Sequence, residues 1–361
     1  MKFLIVGYSV RHIACSAARS GHEVFAADCF CDLDLEVCAK DVVLLPQTLN
    51  VEQAERLIQT YVEEFSPEAV VLGSGLEEAR VRGILVLNNP PDKAALVSDK
   101  LWLAGWLEKR GFPFIYTHES TESARFPVVI KPRKGAGGVG CKLVGSAADL
   151  KLDEGMIVQD WLDGKPASVS VIGNGYDSLA IASNEQLIGA AWAGAIGFRY
   201  SGNITPLEPP LPEITEMAEE IVSELGLMGS NGVDFLLTKR GPVVVEVNPR
   251  FQGSLDAVEL STGTNIFNAH VEAFDGILPE KPLPRKVAGR AILFAQRSVK
   301  IGDELTGWIK DIDWITDVPR PGTEINKNGP VASVLAIGKD REEVLRLLIE
   351  RTDMLRTATK S

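Results

Sequence analysis

Val233 to Arg250 reads VDFLLTKRGPVVVEVNPR, two apolar runs separated by the turn-forming string Lys-Arg-Gly-Pro. This pattern favours two antiparallel strands joined in a hairpin. In that hairpin Asp234 and Glu246 would lie side by side, and Asn248 would share their face because side chains alternate along a strand. Two adjacent carboxylates in an apolar setting need a counterion. Oxygen donors with no histidine or thiolate nearby favour Mg²⁺ or Mn²⁺ over zinc.

Arg250 continues the same alternation beyond Asn248, and its forked guanidinium group suits a carboxylate or a phosphate. The competing interpretation of this segment is an edge hairpin whose acids face water. A water-facing hairpin would not require glutamate, asparagine and arginine at every second position of one strand. It would also not be expected together with a phosphate-binding signal elsewhere in the chain.

Such a signal runs from Val128 to Gly140 and reads VVIKPRKGAGGVG. The residues up to Lys131 predict a short buried strand, and Lys131, Arg133 and Lys134 supply positive charge. The glycines that follow lack a Cβ, so their backbone N–H groups can approach phosphate oxygens. They are Gly135, Gly137, Gly138 and Gly140. The spacing matches neither a P-loop nor a dinucleotide fingerprint, and a glycine-rich hairpin without a ligand is the alternative.

Together the two segments resemble the ATP-grasp superfamily, and within it the biotin-carboxylase-related branch, over roughly Pro90 to Gly276. The resemblance implies two α+β lobes that hold ATP between them. It implies that Lys131 contacts the nucleotide phosphates and that Lys134 to Gly140 form a flexible lid. Lys100 matches an earlier phosphate-binding lysine at the start of a helix.

The same resemblance assigns roles to the hairpin. Asp234, Glu246 and Asn248 match the ligands of a Mg²⁺ or Mn²⁺ ion that accompanies ATP. Arg250 matches the arginine that steadies the transferred phosphoryl group or the acyl phosphate, and Lys131 is the second residue expected to act in catalysis.

A hinge segment is expected between the lobes, where the backbone would read the edge of the adenine. Its residues are Gln159, Asp160, Trp161 and Leu162. Family members usually carry glutamate where this chain has Gln159. The ribose contact therefore stays open, with Asp163 as a candidate.

Residues 1–89 predict a parallel α/β domain that resembles the pre-grasp domain of the superfamily. Strands are expected at Lys2 to Gly7 and Glu23 to Asp28, and the other elements follow at Val42 to Leu45, Val51 to Phe65, Ala69 to Leu72 and Ile84 to Leu87. Asp28 ends the second strand as the ribose-binding acid of a dinucleotide fold would. However, Gly7 stands alone where that fold needs three glycines, so NAD binding is not favoured.

The expected fold class is mixed α/β and α+β, in three parts. An N-terminal parallel α/β domain (1–89) is followed by a two-lobed ATP-grasp domain (90–276), whose lid lobe covers about 120–165, and by a small C-terminal α+β cap (277–361). A proline-rich connector from Ile277 to Arg285 separates the last two parts. The cap is predicted to contain short strands at Val287 to Phe294, Trp314 to Asp317 and Val331 to Gly338, and a helix from Arg341 to Met354.

Substrate contacts are expected from the glycine-bracketed segment between Gly194 and Pro206, which lacks regular periodicity and is interpreted as a loop. Arg199, Tyr200 and Asn203 are its candidates, and Gln252 and Ser254 follow Arg250. The string YSGNITP in this segment is similar to one in ATP-grasp proteins of methanogens and one-carbon-metabolising bacteria. That similarity implies a carboxylate–amine ligase, for example one joining glutamate to an amine in methanofuran or methanopterin biosynthesis.

Two other functions stay open at this point. A biotin-carboxylase-like enzyme would use bicarbonate as acceptor, although the chain is shorter than a full biotin carboxylase and has no Met-Lys-Met biotinylation tripeptide. An ATP-binding protein without catalysis would retain the fold with a decayed site. The complete set of metal ligands argues against that second alternative.

The resemblance implies small-molecule carboxylates and amines as partners, and the composition of the chain agrees with it. With 37 basic and 49 acidic residues the net charge is −12, which argues against general affinity for nucleic acid or anionic membranes. We expect a cytoplasmic enzyme, with a homodimer as the default assembly. Five cysteines suggest a reducing compartment. Cys29, Cys31 and Cys38 lack a fourth partner for zinc and are interpreted as free thiols.

Overall fold

The computed structural model describes residues 1–120 and 124–359. Residues 121–123, in the predicted lid lobe, and 360–361, at the end of the predicted cap, lie outside the described part of the chain. The described residues form a parallel sheet of five strands, antiparallel sheets of four and eight strands, and a short two-stranded ribbon. This mixture of parallel and antiparallel sheets confirms the predicted fold class.

The N-terminal domain is a parallel sheet flanked by helices. Its elements are β1 (Lys2–Gly7), α1 (Arg11–Arg19), β2 (Glu23–Asp28), α2 (Leu33–Cys38), β3 (Asp41–Leu44), α3 (Val51–Phe65), β4 (Ala69–Leu72) and β5 (Leu85–Val86). The strand order is β3-β2-β1-β4-β5. Since the order reverses beside β1, the loops after β1, β2 and β4 open at one edge, which is where open α/β sheets bind ligands.

Asp28, at the end of β2, has a structural role. Its side chain is fully buried, and its oxygens accept hydrogen bonds from the backbone amides of Val10 (2.7 Å), Phe30 (2.5 Å) and Cys31 (2.9 Å). These bonds hold the two loops that follow β1 and β2. A carboxylate engaged in this way is not free to bind a ribose, which removes the one residue that favoured a dinucleotide site.

Two helices and a four-stranded antiparallel sheet follow. They are α4 (Pro91–Val97), α5 (Lys100–Arg110), β6 (Thr117–His118), β7 (Val128–Pro132), β8 (Lys142–Val144) and β9 (Met156–Asp160). Asp99 caps α5, accepting from the amides of Leu101 and Trp102. The sheet order is β6-β9-β7-β8, and this sheet falls largely within the range predicted for the lid lobe.

The large sheet is built on long antiparallel strands. Its first elements are β10 (Lys165–Asn174), β11 (Ser178–Ile188), β12 (Tyr200–Thr205), α6 (Pro212–Glu224), β13 (Met228–Thr238), β14 (Gly241–Asn248), α7 (Leu255–Thr262) and α8 (Ile266–Phe274). Buried Val169, Phe235 and Val244 pack on Leu107 of α5 and Ile221 of α6. This core places the polar ends of β13 and β14 next to the lid lobe.

The expected loop from Gly194 to Pro206 is in large part a strand. β12 pairs antiparallel with β11 on one side and with a strand from the C-terminal region on the other. Glycines in the segment obscured its strand periodicity. The segment forms a strand because β11 and the C-terminal strand hydrogen-bond to it on both sides.

The C-terminal region continues the large sheet. It contains β15 (Val287–Phe294), β16 (Val299–Lys300), α9 (Asp303–Ile309), β17 (Ile315–Thr316), β18 (Glu324–Ile325), β19 (Pro330–Gly338) and α10 (Arg341–Ala358). The eight strands run β14-β13-β10-β11-β12-β15-β19-β17. The boundary expected after Gly276 therefore falls within one continuous sheet, because β12 accepts β15 as its neighbour.

The cysteines differ from the expectation of free thiols. Cys15 of α1 and Cys38 of α2 form a disulfide with a Cα–Cα distance of 4.9 Å. Cys29 and Cys31 are free and buried. Sequence separation concealed the pair, since Cys15 and Cys38 meet only when the two helices pack. Over residues 1–120 and 124–359, no helix combines the length and apolar character needed to cross a bilayer.

Candidate functional site

The hairpin of β13 and β14 brings the predicted metal ligands together. Asp234 pairs directly with Glu246, and a bulge follows between Asp234 and Phe235. Asn248 Nδ2 donates to Asp234 Oδ2 at 3.3 Å, so all three side chains share one face. Gln186 Nε2, from β11, donates to Asp234 Oδ1 at 3.0 Å. The spacing of the hairpin predicted this convergence, but not the contribution of Gln186.

Electrostatics at this face favour a cation. Burial and then the adjacent Glu246 raise the pKa of Asp234 well above its usual range. Burial also acts to raise the pKa of Glu246, but Lys100 and Lys131 outweigh it and hold that pKa below its usual value. Two neighbouring carboxylates therefore do not both ionise readily in the protein alone. An added divalent cation would remove that conflict.

The donor set fits a hard divalent ion. Asp234 and Glu246 provide carboxylate oxygens and Asn248 an amide oxygen, the ligands that Mg²⁺ and Mn²⁺ prefer. No group of three or more His, Cys, Asp or Glu side chains able to hold a metal occurs in the described part of the chain. A metal held here by two carboxylates and an amide would need further oxygens from outside the protein, as nucleotide-bound Mg²⁺ does.

Two buried lysines face these acids. Lys100 Nζ lies 3.3 Å from Glu246 Oε2 and donates to the carbonyl of Gly135 at 2.8 Å. Lys131, at the end of β7, is 5% exposed, and burial lowers its pKa to about 8. Both ammonium groups thus lie close to the carboxylates. Positive and negative side chains placed together in this way suit phosphate oxygens that are accompanied by a cation.

The glycine loop lies closed against the large sheet. The amide of Tyr200 donates to the carbonyl of Gly137 at 3.2 Å. A Cβ on Gly138 would lie 1.8 Å from the carbonyl oxygen of Phe198, so only glycine fits this contact. Gly135, Gly137 and Gly138 all line the cleft. The loop can therefore cover whatever the lysines bind.

The other two cations of the loop point elsewhere. Arg133 donates to Asp99 and lies 3.0 Å from Glu119. Lys134 Nζ lies 2.9 Å from Glu78 Oε1 in the N-terminal domain and does not line the cleft. The structure thus places Lys134 as a tether between the loop and that domain, and not at the phosphate position expected for it.

The hinge follows β9. Gln159 is buried and donates to Thr117 Oγ1 at 3.0 Å. The amides of Asp160 and Trp161 are already bonded to the carbonyls of Tyr116 and Pro127. Gln159, Asp160, Trp161 and Leu162 all line the cleft, as predicted, whereas Asp163 does not. The amide of Leu162 is thus left for a ligand, and Asp163 lies outside the lining of the cleft.

Arg250 lies beside the metal face and touches the N-terminal domain. Its Nη2 donates to Asn248 Oδ1 at 3.1 Å, and its Nε lies 2.5 Å from Glu77 Oε1. Glu77 belongs to the loop region after β4, which the sequence did not connect with Arg250. Its Nη1 donates to the carbonyl of Phe251 at 3.0 Å, so the guanidinium is held in place where Arg250 lines the cleft.

The remaining predicted substrate residues divide into two groups. Arg199, Tyr200, Gln252 and Ser254 line the cleft. Asn203 does not: it is fully buried in β12 and bonds to Thr205 Oγ1 and to the Tyr200 hydroxyl. Asn203 therefore positions Tyr200 by accepting a hydrogen bond from its hydroxyl group. The expected loop would have exposed it, and the strand turns it inward.

All these elements surround one cleft of about 770 Å³ between the N-terminal domain, the lid lobe and the large sheet. Sequence reasoning missed several residues that line it, namely His12, Asp32, Gln186, Arg290 and Asp317. Asp32 could have been found, because it follows the second strand of a predicted parallel sheet. Arg290 and Asp317 carried no local signal and came from a region expected only to support the cleft.

Comparison with known proteins agrees with this geometry. A family model described as an ATP-grasp domain matches residues 97–254. An uncharacterized protein of Methanocaldococcus jannaschii is 26% identical over 93% of this chain and 88% of its own length. The 3-methyl-D-ornithine–L-lysine ligase of Methanosarcina mazei is 28% identical over 60% of this chain and 58% of its own length.

Solved structures show the same fold. An L-amino acid ligase from Bacillus licheniformis superimposes with a TM-score of 0.70 at 19% identity, covering 98% of this chain and 97% of that one. A biotin carboxylase from Campylobacter jejuni gives 0.73 at 14% identity, covering 96% and 89%. At these identities the likeness establishes architecture. Together with the matched family model and the site geometry, it shows that the chain contains an ATP-grasp domain over residues 97–254.

Proposed function

We propose that this protein activates a carboxylate with ATP and joins it to an amine, releasing ADP and phosphate. The observation that carries the proposal is the meeting of Asp234, Glu246 and Asn248 with Lys100 and Lys131 beneath a glycine loop. An acid–amide face opposite buried lysines is suited to a triphosphate with its cation. The cleft extends past this point toward Arg250 and the N-terminal domain, which leaves room for an acceptor.

The chemistry follows from the low reactivity of a carboxylate toward amines, because its leaving group would be oxide. A carboxylate oxygen attacks the γ-phosphorus of ATP and ADP leaves, giving an acyl phosphate. The amine then attacks the acyl carbon, inorganic phosphate leaves as the C–O bond breaks, and the nitrogen releases a proton to solvent, giving an amide. Phosphoryl transfer needs positioning and charge neutralisation more than covalent help.

The residues divide this work by position. Lys100 and Lys131 neutralise phosphate oxygens, and Arg250, aimed by Glu77, holds the attacking carboxylate. Asp234, Glu246 and Asn248 would hold Mg²⁺, which when bound supplies further neutralisation between the phosphates. Gly135 to Gly140 exclude water, so that the acyl phosphate reacts with the amine and is not hydrolysed.

The relatives support amino acids as substrates. The Methanosarcina mazei and Bacillus licheniformis proteins are named as ligases of amino acids. We propose an amino acid as one partner here as well, with glutamate joined to an amine in one-carbon coenzyme assembly as the finer hypothesis. A screen should therefore include glutamate with tyramine, together with a bicarbonate arm that would reveal biotin-carboxylase-like activity.

The test is ADP release across mixtures of amino acids, polyamines and aromatic amines, followed by mass measurement of the product. Glu246→Gln keeps the shape of the side chain but removes a metal ligand, so we expect ADP release to fall by about two orders of magnitude or more. Glu216→Gln, on the exposed face of α6, is the matched control and should leave the rate unchanged. Equal rates for the Glu246 variant and the wild type would refute the proposal.

A further inference from the structure

Asp32 occupies an unusual position at the N-terminal end of the cleft. It lies in the loop between β2 and α2, is 5% exposed and lines the cleft. Within the described residues its carboxylate makes neither a hydrogen bond nor an ion pair. Its neighbours differ: Asp28 accepts three backbone amides, and Asp34 accepts the amides of Asp317 and Val318. Asp32 alone in this loop is buried and unpaired.

The cations nearby are already engaged. Arg11 forms ion pairs with Asp256 (2.6 Å), Asp317 (2.9 Å) and Asp34 (3.4 Å). Arg290 pairs with Asp317 at 2.5 Å and lies 3.7 Å from Asp256. Two guanidinium groups thus serve three other carboxylates and leave none for Asp32. In keeping with this, burial and then Asp317 raise the pKa of Asp32 well above its usual range.

His12 provides a second, independent sign of a missing ligand. It also lines the cleft and is 7% exposed, and its Nδ1 has no hydrogen-bond partner in the described part of the protein. Burial lowers the pKa of His12 to about 4, so the ring is neutral at physiological pH. A neutral imidazole keeps one nitrogen able to accept a hydrogen bond. Buried polar atoms without partners are uncommon and call for an explanation.

Arg199 provides the opposite charge on the cleft wall. Its guanidinium lies over the ring of Phe294 at 5.0 Å and donates to the Asn328 carbonyl. It forms no ion pair with a carboxylate among the described residues. An acid without a cation and a cation without an acid in one cleft are complementary to a small zwitterion.

We propose that the N-terminal end of the cleft binds an amino acid substrate, with Asp32 as the counter-ion of its ammonium group, His12 as a neutral neighbour of that group, and Arg199 as the partner of a carboxylate. The role of this amino acid as a ligase substrate rests on the proposed function, but its binding does not. The ammonium group would be the cationic partner that Asp32 lacks among the described residues of the protein. Asp32 is then a residue that determines specificity and takes no part in phosphoryl transfer.

The first experiment compares Asp32→Asn with the wild type in the absence of ligands. Because the substitution removes a carboxyl group whose ionisation is disfavoured by burial, we expect the melting midpoint to rise at neutral pH. Glu36→Gln is the matched control. It lies in the adjoining helix α2, pairs with Arg320 at the surface and is 43% exposed, so its midpoint should not rise. A midpoint of the Asp32 variant below that of the wild type would overturn the proposal.

The second experiment measures binding by calorimetry with the full chain. The probes are glycine, L-alanine, L-glutamate, L-ornithine and L-lysine, each beside the analogue in which hydroxyl replaces an amino group. At least one amino acid should bind the wild type more tightly than its hydroxyl analogue. Asp32→Asn should weaken that binding about thirtyfold or more. Glu36→Gln should bind the amino acid as the wild type does, and neither substitution should change the affinity for ATP. No preference for ammonium in the panel, or equal binding to the Asp32 variant, overturns the proposal.

ADP release separates this proposal from the proposed function. Amino acid binding that depends on Asp32, without ADP release in any mixture, supports the binding site and contradicts the ligase. ADP release and amide formation with no effect of Asp32→Asn on amino acid affinity supports the ligase and overturns the role of Asp32.

Discussion

Two neighbouring glycines in the glycine loop differ in whether the protein has room for a Cβ atom. Gly137 and Gly138 both have positive φ, +66° and +72°. A Cβ on Gly138 would meet the carbonyl oxygen of Phe198 at 1.8 Å, whereas a Cβ on Gly137 would meet nothing within 4 Å. Both positions favour glycine for backbone reasons, but only Gly138 is needed for the loop to reach the large sheet.

Gly138→Ala should therefore hold the lid away from the cleft, and Gly137→Ala should not. Both variants bear the local cost of a left-handed residue with a side chain, about 1–2 kcal/mol. We expect Gly138→Ala to lower ADP release by about a hundredfold, because misplacing the covering loop by an ångström disrupts the site. Steady-state rates and protease cutting of the loop in the presence of ATP would measure this. Equal losses in the two variants would contradict the role of the close contact.

In helix α10, packing against the sheet determines which apolar side chains are buried. The sequence predicts an amphipathic helix, and the structure extends it to Ala358, with Asp340 capping its first turn. Its buried residues are Val344, Leu348, Thr352 and Leu355. Met354, the apolar residue at which the predicted helix ended, is 51% exposed. Val344 and Leu348 close over Gly289 of β15, where a Cβ would meet them at 2.7 and 2.9 Å.

Leu348→Ala should lower the free energy of unfolding by about 2–5 kcal/mol, since it leaves a cavity between α10 and the sheet. Leu347→Ala, one residue away on a partly exposed face, is the control and should cost distinctly less. Urea denaturation would measure both. Similar losses would mean that α10 does not pack by the face described.

At the scale of the whole molecule, Arg11 joins three regions. It lies on α1 of the N-terminal domain and pairs with Asp256 of α7 and with Asp317 next to β17. Burial acts to raise the pKa of Asp256, but Arg11 outweighs it, and the pKa lies below its usual value. Arg11 and Arg290 likewise hold the pKa of Asp317 below its usual range against burial. The three regions therefore depend on one buried network.

Arg11→Met should lower the free energy of unfolding at neutral pH by about 3–5 kcal/mol, because it leaves buried carboxylates without a partner. Groups with a lowered folded pKa contribute stability above the unfolded value, near 4, and lose it as pH falls through the folded pKa. The difference between variant and wild type should thus shrink in acid. Urea denaturation at pH 7 and at about pH 2, below the unfolded pKa, would show this.

Arg19→Met, on the same helix, is the control. Arg19 pairs with Glu259 but is 52% exposed, so its loss should cost at most about 1 kcal/mol. A loss for Arg11→Met no larger than this would contradict a role for the network in holding the regions together.

Local patterns carried a large part of the fold. The helix Val51–Phe65 and the strands Glu23–Asp28 and Val287–Phe294 have the predicted bounds. Each is encoded by its own periodicity and flanking turn residues. The convergence of these polar side chains was predictable for the same reason, since Asp234 and Glu246 belong to one hairpin and Asn248 follows by the period of the strand.

The contacts that decide the far end of the cleft depend on packing between distant segments. His12, Asp32 and Arg290 line one cleft only after the N-terminal domain has packed against the C-terminal region, where Arg11 pairs with Asp317. Tyr200 and Asn203 form a strand because β11 and β15 flank them, and Cys15 finds Cys38 because two helices pack. The sequence by itself determined most of the elements and the convergence of the hairpin acids, because short-range periodicity encodes them. The tertiary structure alone decided which buried charges have partners and which is left for a ligand, because pairing depends on distances between residues far apart in the chain.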